Sequence, residues 1–430
     1  MRHAPIDPAL FTAHRRRLTE LLPDRSLAIV HAADVLPSTG DGTLPLHPAA
    51  DLFWLTGIEQ EESVLVLAPD AIDPAGREML FVRRPDEHLA TWEGEKLSAE
   101  KARATSGVAK VRWLADLPGT LHQLMGQAET VFLVANEHER AAIDVESRDL
   151  RMARQLQARY PLQRYARLAP LLRRLRAVKD EAEVALVRTA IDITAAGLRR
   201  LVGALRPGVM EHELEAELAH EFIRRRGRMA YEPIIASGRN ACVLHYTDND
   251  KVCAAGDLLL VDVGASYANY CADLTRTYPV SGRFSPRQRA VYDAVLRVLR
   301  HSIARATVGT TLRDWKRAAQ REMAEELVGL GLVSPADAAR DSADEPACRR
   351  FFMHGLGHSL GLGVHDLAPQ DGPLAPGWVM TVEPGIYIPD ERIGIRLEND
   401  ILVTADGPVD LCSHVPLEAD EIEALMAAGG

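Results

Sequence analysis

Residues 258–277 read LLLVDVGASYANYCADLTRT, and the placement of Asp262 and Asp273 among apolar neighbours decides how the chain is read. The run Leu258-Leu259-Leu260-Val261, resumed by Val263, has the unbroken apolar character of a strand buried on both faces. A lone carboxylate in such a strand must be neutralised, paired or bound to a cation, because an isolated buried charge is costly. The stretch from Gly264 to Asn269 reads as the connection of a hairpin that returns Asp273 beside Asp262.

The same arrangement recurs downstream. Val379-Met380-Thr381-Val382-Glu383-Pro384-Gly385 and Ile393-Gly394-Ile395-Arg396-Leu397-Glu398 flank a turn at Pro389 to Arg392, which predicts a second hairpin presenting Glu383 and Glu398. Four buried carboxylates facing one another repel strongly, and two divalent cations remove that objection. Oxygen-rich ligation with one or two imidazoles suits Mn, Co, Fe or Zn in an open site better than a closed structural zinc site.

The imidazoles stand in the segment 351–366, FFMHGLGHSLGLGVHD, with His354, His358 and His365 within twelve positions. His354 and His358 have the spacing of a zinc-protease helix, but no Glu follows His354 and four glycines argue against a helix. Gly357-His358-Ser359-Leu360-Gly361 matches a nucleophile elbow, with Ser359 as nucleophile and Asp400 and His414 as partners in the right chain order. That elbow requires a helix directly after the serine, where this chain has further glycines. A dinucleotide fingerprint fails on spacing and on the same missing helix. Read as a Gly-rich strand and turn, the segment lets backbones approach closely and offers its imidazoles to one cavity.

Composition narrows the class. A chain of 430 residues, 47% hydrophobic, is long enough for two or three domains with sizeable cores. The formal charge of −11 is spread without an acidic tail, and the basic clusters at 14–17, 173–176 and 224–226 fall in helix-like contexts. They read as solvated helix faces, not a nucleic-acid surface. Five cysteines, none in a CxxC pair, fit free thiols in a reducing compartment. With no signal-like apolar region and no membrane-length run, the expected location is the cytoplasm, with no membrane or nucleic-acid partner.

Alternating signals predict an α/β first domain: a helix near 8–22, then strands at Ser26 to Ala32, Ser63 to Ala68, Met79 to Val82 and Thr130 to Ala135. Lys179-Asp180-Glu181-Ala182-Glu183 opens a helix expected to run to about 204, where Pro207-Gly208 stops it, and helical periodicity resumes from Glu211 to Arg226. Beyond 230 strand signals dominate, with helices expected near 286–305 and 312–330, giving an α+β second domain.

These residues resemble the creatinase, or "pita-bread", metallopeptidases of family M24, and within them the aminopeptidase P branch. The resemblance spans nearly the whole chain: Asp262, Asp273, His358, Glu383 and Glu398 follow the order and spacing of that family's five ligands. Residues 240–249 (NACVLHYTDN), 285–296 and 381–387 (TVEPGIY) are similar to it as well, as are 51–57 (DLFWLTG) and 63–67 in the smaller first domain. Methionine aminopeptidases lack that first domain. The resemblance implies an N-terminal domain over 1–175 and a pita-bread catalytic domain over 176–430.

It also implies roles. Asp262 would chelate one metal, Asp273 and Glu398 would bridge two, and His358 with Glu383 would complete the second, with manganese the leading candidate over Zn, Co or Fe. His245 and His365 match histidines that bind substrate and steady the developing oxyanion, and His354 matches a further active-site histidine. Tyr387 and Arg396 match groups that orient the bridging carboxylates. Tyr231 and Trp92 align with substrate-pocket residues, and the resemblance would let Trp92 serve the pocket of a neighbouring subunit. Ser359 stands where the branch often carries an aromatic, and the hairpin between Glu383 and Glu398 is shorter than in several relatives; both bear on pocket shape.

The implied reaction is hydrolysis of the bond between an N-terminal residue and a following proline, through a hydroxide held between two metals about 3.5–4 Å apart, with Glu383 shuttling the proton. A homo-oligomer, dimer or tetramer, is expected. Three other readings stay open: a prolidase limited to Xaa-Pro dipeptides, a serine hydrolase using Ser359, and a non-catalytic peptide-binding module of the same fold.

Overall fold

A computed structural model describes residues 3–137, 145–369 and 372–429, which pack as two compact units parting between Arg176 and Ala177. The first unit is built on short, almost wholly apolar strands. They form a six-stranded sheet from β1 (Ser26–His31), β2 (Val64–Leu67), β3 (Glu78–Val82), β4 (Lys110–Trp113), β5 (Thr130–Leu133) and β6 (Arg164–Arg167), in the order β4-β3-β2-β1-β5-β6. Every residue of β1 and β2 is buried, which is why these segments carry no alternation of apolar and polar residues. β2 runs antiparallel to both neighbours, whereas β5 is parallel to β1 and β6, and β4 to β3. Leu117, Leu121 and Leu124, on one face of the helix Leu117–Met125, close a core with Leu27, Ile29, Val64, Val66 and Phe81.

In the second unit, Asp180 and Glu183 form the reciprocal capping box that starts the helix Glu181–Ala204, with the Glu183 carboxylate accepting from the Asp180 amide at 2.8 Å. The helices Glu211–Arg224, Pro286–Arg305 and Leu312–Gly329 fall where the sequence periodicity puts them. The last two press Val291, Val295, Leu299, Trp315 and Met323 against Leu258, Met380, Val382, Ile395 and Ile401. Each such side chain contributes roughly 1.5–3 kcal/mol on full burial.

The strands of this unit are β7 (Arg228–Met229), β8 (Ile234–Ser237), β9 (Leu258–Val263), β10 (Ala265–Tyr267), β11 (Tyr270–Cys271), β12 (Leu274–Pro279), β13 (Val379–Val382), β14 (Gly385–Ile388), β15 (Ile393–Arg396), β16 (Asn399–Thr404) and β17 (Gly407–Asp410). All six residues of β9 are buried, at the centre of the sheet β12-β9-β8.

The connection from Asp262 to Asp273 is not one hairpin, as the sequence suggested. β9 pairs with β12 as far as Val263 and Leu274; the chain then crosses at Gly264 into a separate sheet, where β10 and β11 are joined by the two-residue turn Ala268-Asn269. Both turn residues have positive φ, 50° and 65°, the geometry that matches strand twist in a tight hairpin. The second pair repeats the plan: β13 pairs with β16, the chain breaks at Glu383-Pro384 and Leu397-Glu398, and β14 pairs with β15 around the expected turn at Pro389 to Arg392.

Glycine makes the first crossing possible. A Cβ on Gly264 would lie 1.8 Å from the carbonyl oxygen of Ala272, so no larger residue lets the two strands meet there. Among the described residues no helix is long and apolar enough to cross a membrane.

Candidate metal centre

Sheet breaks free backbone groups, and here the two breaks satisfy each other. The amide of Glu398 donates to the Thr275 carbonyl at 3.1 Å, that of Asp273 to the Asp400 carboxyl at 3.1 Å, and that of Glu383 to the Leu356 carbonyl at 2.8 Å. Three of the four carboxylates, those of Asp273, Glu383 and Glu398, are thereby fixed through their own main chain. The Gly-rich segment lies against β13 without forming a helix: Leu360 donates to the Val379 carbonyl at 3.0 Å, and Thr381 to that of His358 at 2.9 Å. A Cβ on Gly357 would stand 2.1 Å from the Thr381 carbonyl oxygen, which is the close approach the glycines predict.

This backbone brings the expected ligands together. Asp273, His358 and Glu398 each offer one donor atom, all within 4.8 Å of one another. His358 Nε2 lies 3.5 Å from Asp273 and 3.8 Å from Glu383. The Tyr231 hydroxyl contacts both aspartates, Asp262 at 2.6 Å and Asp273 through a short hydrogen bond. Arg396 donates to Asp262 at 2.5 Å and to the Tyr387 hydroxyl at 2.9 Å, and Tyr387 meets His354 Nε2 at 2.8 Å. The His365 ring stacks on His358 with centroids 4.0 Å apart. His245 is exposed and follows the short 3-10 turn Gly238–Cys242. Trp92 belongs to the first unit, in the helix Glu87–Glu93, with its indole 77% exposed beside His88.

The electrostatics show a buried excess of negative charge. Burial raises Glu398 well above the usual carboxylate range, and the charges of Asp273, Glu383 and Asp262 push the same way. Burial likewise raises Glu383 to about 7, against the nearby His358 and with the help of Asp273. For His358 burial disfavours the charged form, but its contact with Asp273 and the charge of Glu383 hold it at about 9. His354 goes the other way, lowered to about 4 by burial and the Arg396 charge. The fit to divalent cations follows from this donor set: carboxylates that burial would otherwise protonate, with an imidazole among them.

The part that three neighbours play here escaped the sequence reading. Thr275 donates to Glu398 at 2.7 Å and accepts from Arg396 at 3.2 Å. Fully buried Arg276 donates to the backbone carbonyls of Thr275 and Glu398 and to the Asn399 side chain. Asp400, 0% exposed, holds the Asp273 amide and is raised well above the ordinary carboxylate range by burial and the Asp273 charge. Nothing in the run LTRTYP of β12 marks Thr275 and Arg276 as buried; their burial is a product of the fold.

Residues 185–405 match the model of metallopeptidase family M24. The chain belongs to this family. The model of the aminopeptidase P N-terminal domain matches residues 11–132. The Xaa-Pro aminopeptidase of Escherichia coli K12 is 36% identical over 97% of each chain. A putative aminopeptidase P from Bacillus anthracis superposes with a TM-score of 0.92 at 31% identity, covering 99% of both chains. The zinc-substituted E. coli aminopeptidase P in complex with product superposes at 0.87 and 33% identity, covering 99% of this chain and 100% of the other. The α/β first unit and α+β pita-bread second unit are therefore those of the M24 aminopeptidase P structures.

Membership also disposes of the serine hydrolase, and the geometry agrees. Bends, not a helix, follow Ser359, and His414 pairs with Asp192 at 3.1 Å while Asp400 is committed to the Asp273 amide.

Proposed function

We propose that this M24 protein removes the N-terminal residue from peptides with proline in second position, using two divalent cations, manganese by preference. The observation that carries this reading is the convergence of Asp273, His358 and Glu398 within 4.8 Å, with Asp262 and Glu383 tied to the same group. In this reading Asp262, Asp273, His358, Glu383 and Glu398 would together hold the two cations. When bound, the cations supply Lewis acidity toward a carbonyl and a means of activating water at neutral pH.

The chain's own residues do the rest. Arg396, through its hydrogen bonds to Asp262 and Tyr387, keeps the Asp262 carboxylate in one orientation, and Tyr387 passes that constraint to His354. Tyr231 spends its hydroxyl on the two aspartates and leaves its ring to face substrate. His245 and His365 donate to the scissile carbonyl oxygen as charge develops on it. Proline's nitrogen carries no hydrogen in the peptide, so it departs only when protonated; Glu383, between His358 and His354 at 3.8 and 3.9 Å, delivers that proton. The exposed Trp92 indole is assigned to peptide contact in a neighbouring copy of a homo-oligomer. Residues 1–175 and 176–430 are taken as the accessory and catalytic domains, and the cytoplasm as the place of action.

A prolidase needs a cation for the dipeptide's free carboxylate, and the relatives named above carry the aminopeptidase name instead. Release of the N-terminal residue from an Xaa-Pro-Xaa tripeptide and from an Xaa-Pro dipeptide, before chelation, after it and with Mn restored, tests the proposal. Tripeptide cleavage lost on chelation and regained with Mn is expected. Cleavage of the dipeptide alone would replace it with a prolidase, and cleavage of neither with metal present would overturn it.

A further inference from the structure

Glu211 is the first residue of the helix Glu211–Arg224, is 0% exposed, and lies outside the carboxylate cluster described above. Its side chain accepts four hydrogen bonds from the segment 237–251, which begins at the last residue of β8. Oε1 takes the Ser237 amide at 2.7 Å and the Ser237 hydroxyl at 2.6 Å, and Oε2 takes the Tyr246 hydroxyl at 2.8 Å and the Lys251 amide at 3.0 Å. The Glu211 amide in turn donates to the Lys251 carbonyl at 2.9 Å. Both ends and the middle of the segment 237–251 are thus tied to one carboxyl group.

That segment carries His245, whose own side chain is exposed and is followed directly by Tyr246. Tyr246 is 8% exposed, and its ring packs with Ile234, Ala241, Leu260 and Tyr387, the last of which contacts Arg396 and His354. A second tie lies next to it: Asn249, at φ 46°, accepts the Ile235 amide at 3.0 Å and donates to Glu215 and to the Pro233 carbonyl. An exposed histidine on a loop has many orientations open to it; a catalytic donor must have few.

We propose that Glu211, acting through Tyr246, is a positioning residue for His245, fixing the loop so that the imidazole is set before substrate arrives. Burying a carboxyl group with no basic side chain among its partners costs stability that an apolar residue would not, and the four donors it collects all belong to this segment. The helix N-terminus adds a favourable field at the same atom positions. The inference rests on the role proposed above for His245.

The test is a double-variant cycle with Tyr246→Phe and His245→Ala on the full-length, Mn-loaded protein, with hydrogen exchange of residues 238–251 measured in the metal-free protein without substrate. Tyr246→Phe removes one hydroxyl, retains the ring that packs beside Tyr387, and is the milder change; Glu211→Gln, which replaces one acceptor oxygen by an NH2 donor facing other donors, is the harsher one. The expected result for Tyr246→Phe is faster exchange over 238–251, a fall in kcat of about 10- to 100-fold with smaller change in KM, unchanged Mn content, and no further loss when His245→Ala is already present. Losses that add in the double variant, or wild-type kcat with only a lowered Tm, would overturn the inference and leave Glu211 a purely structural group. A wild-type protein inactive on the tripeptide with Mn present sinks the proposed function instead, and the exchange data would then still report whether Tyr246 orders the loop.

Discussion

Arg276 donates through Nη1 to the backbone carbonyl of Glu398 at 2.7 Å, and both residues are within 1% of complete burial. The guanidinium, which also holds Thr275, Asn399 and Pro416, acts on the main chain of Glu398 and leaves its carboxylate for other partners. Arg276→Met strips the Glu398 and Pro416 carbonyls and the Asn399 side chain of their guanidinium donor, and a loss of about 3 kcal/mol in urea unfolding is expected. Mn affinity should fall with it. A variant as stable as wild type would show that the buried guanidinium is dispensable.

Tyr231 shares one hydroxyl between Asp262 and Asp273. Tyr231→Phe keeps the ring and removes the bond, and a drop in Mn affinity of about 10- to 100-fold is expected from loss of such support. Calorimetric titration of the metal-free variant measures it. Unaltered affinity would mean that the aspartates keep their geometry without the hydroxyl.

Gly264 and Gly357 allow backbone contacts of a kind that a methyl group forbids, since the added Cβ would lie 1.8 and 2.1 Å from carbonyl oxygens of Ala272 and Thr381. Either substitution by Ala should cost about 3 kcal/mol or more, because backbone must move. Gly329→Ala is the control, with nothing within 4 Å of the new atom at the end of a helix, and it should be neutral or stabilising by up to about 1 kcal/mol. Equal thermal midpoints for Gly264→Ala and the control would refute the crossing geometry.

Metal-free protein should lose stability as pH rises. Glu383 is raised from 4.5 to about 7, so its contribution is fully present below pH 4.5 and is lost as pH rises through about 7. His358 is raised from 6.5 to about 9, and its contribution, complete below 6.5, is lost through about 9. His354 has the opposite sign: lowered to about 4, it supports the fold above 6.5 and ceases to as pH falls through about 4. Between pH 4.5 and 6.5 the Glu383 loss and the His354 gain offset each other, so thermal midpoints of chelated protein should decline from about pH 6.5 toward alkaline conditions, each group contributing at most about 1.4 kcal/mol for every pH unit crossed between its unfolded and folded pKa. Mn should reverse the decline. A flat profile in the chelated protein would contradict the burial of these groups.

The sequence by itself determined the elements whose causes are local. The capping pair Asp180 and Glu183, the periodicity of 211–224 and 286–305, and the apolar runs of β1, β2 and β9 all act over three or four residues or by simple alternation, and each became the element it predicted. The acids and histidines also stood out, because Asp262, Asp273, Glu383 and Glu398 are out of place in apolar strands unless they share a purpose.

Tertiary structure decided what depends on partners far along the chain. Nothing in 264–269 says that the hairpin will break at Gly264 and change sheets, since that follows from the contact with Ala272 and from the Asp273 amide finding Asp400, 127 residues away. Arg276 and Glu211 carry no local mark of their roles for the same reason: their acceptors and donors are brought to them only by folding. A hydrogen bond between distant residues leaves no periodic trace, so the acids and histidines stood out in the sequence, whereas the partnerships of Thr275, Arg276 and Glu211 did not.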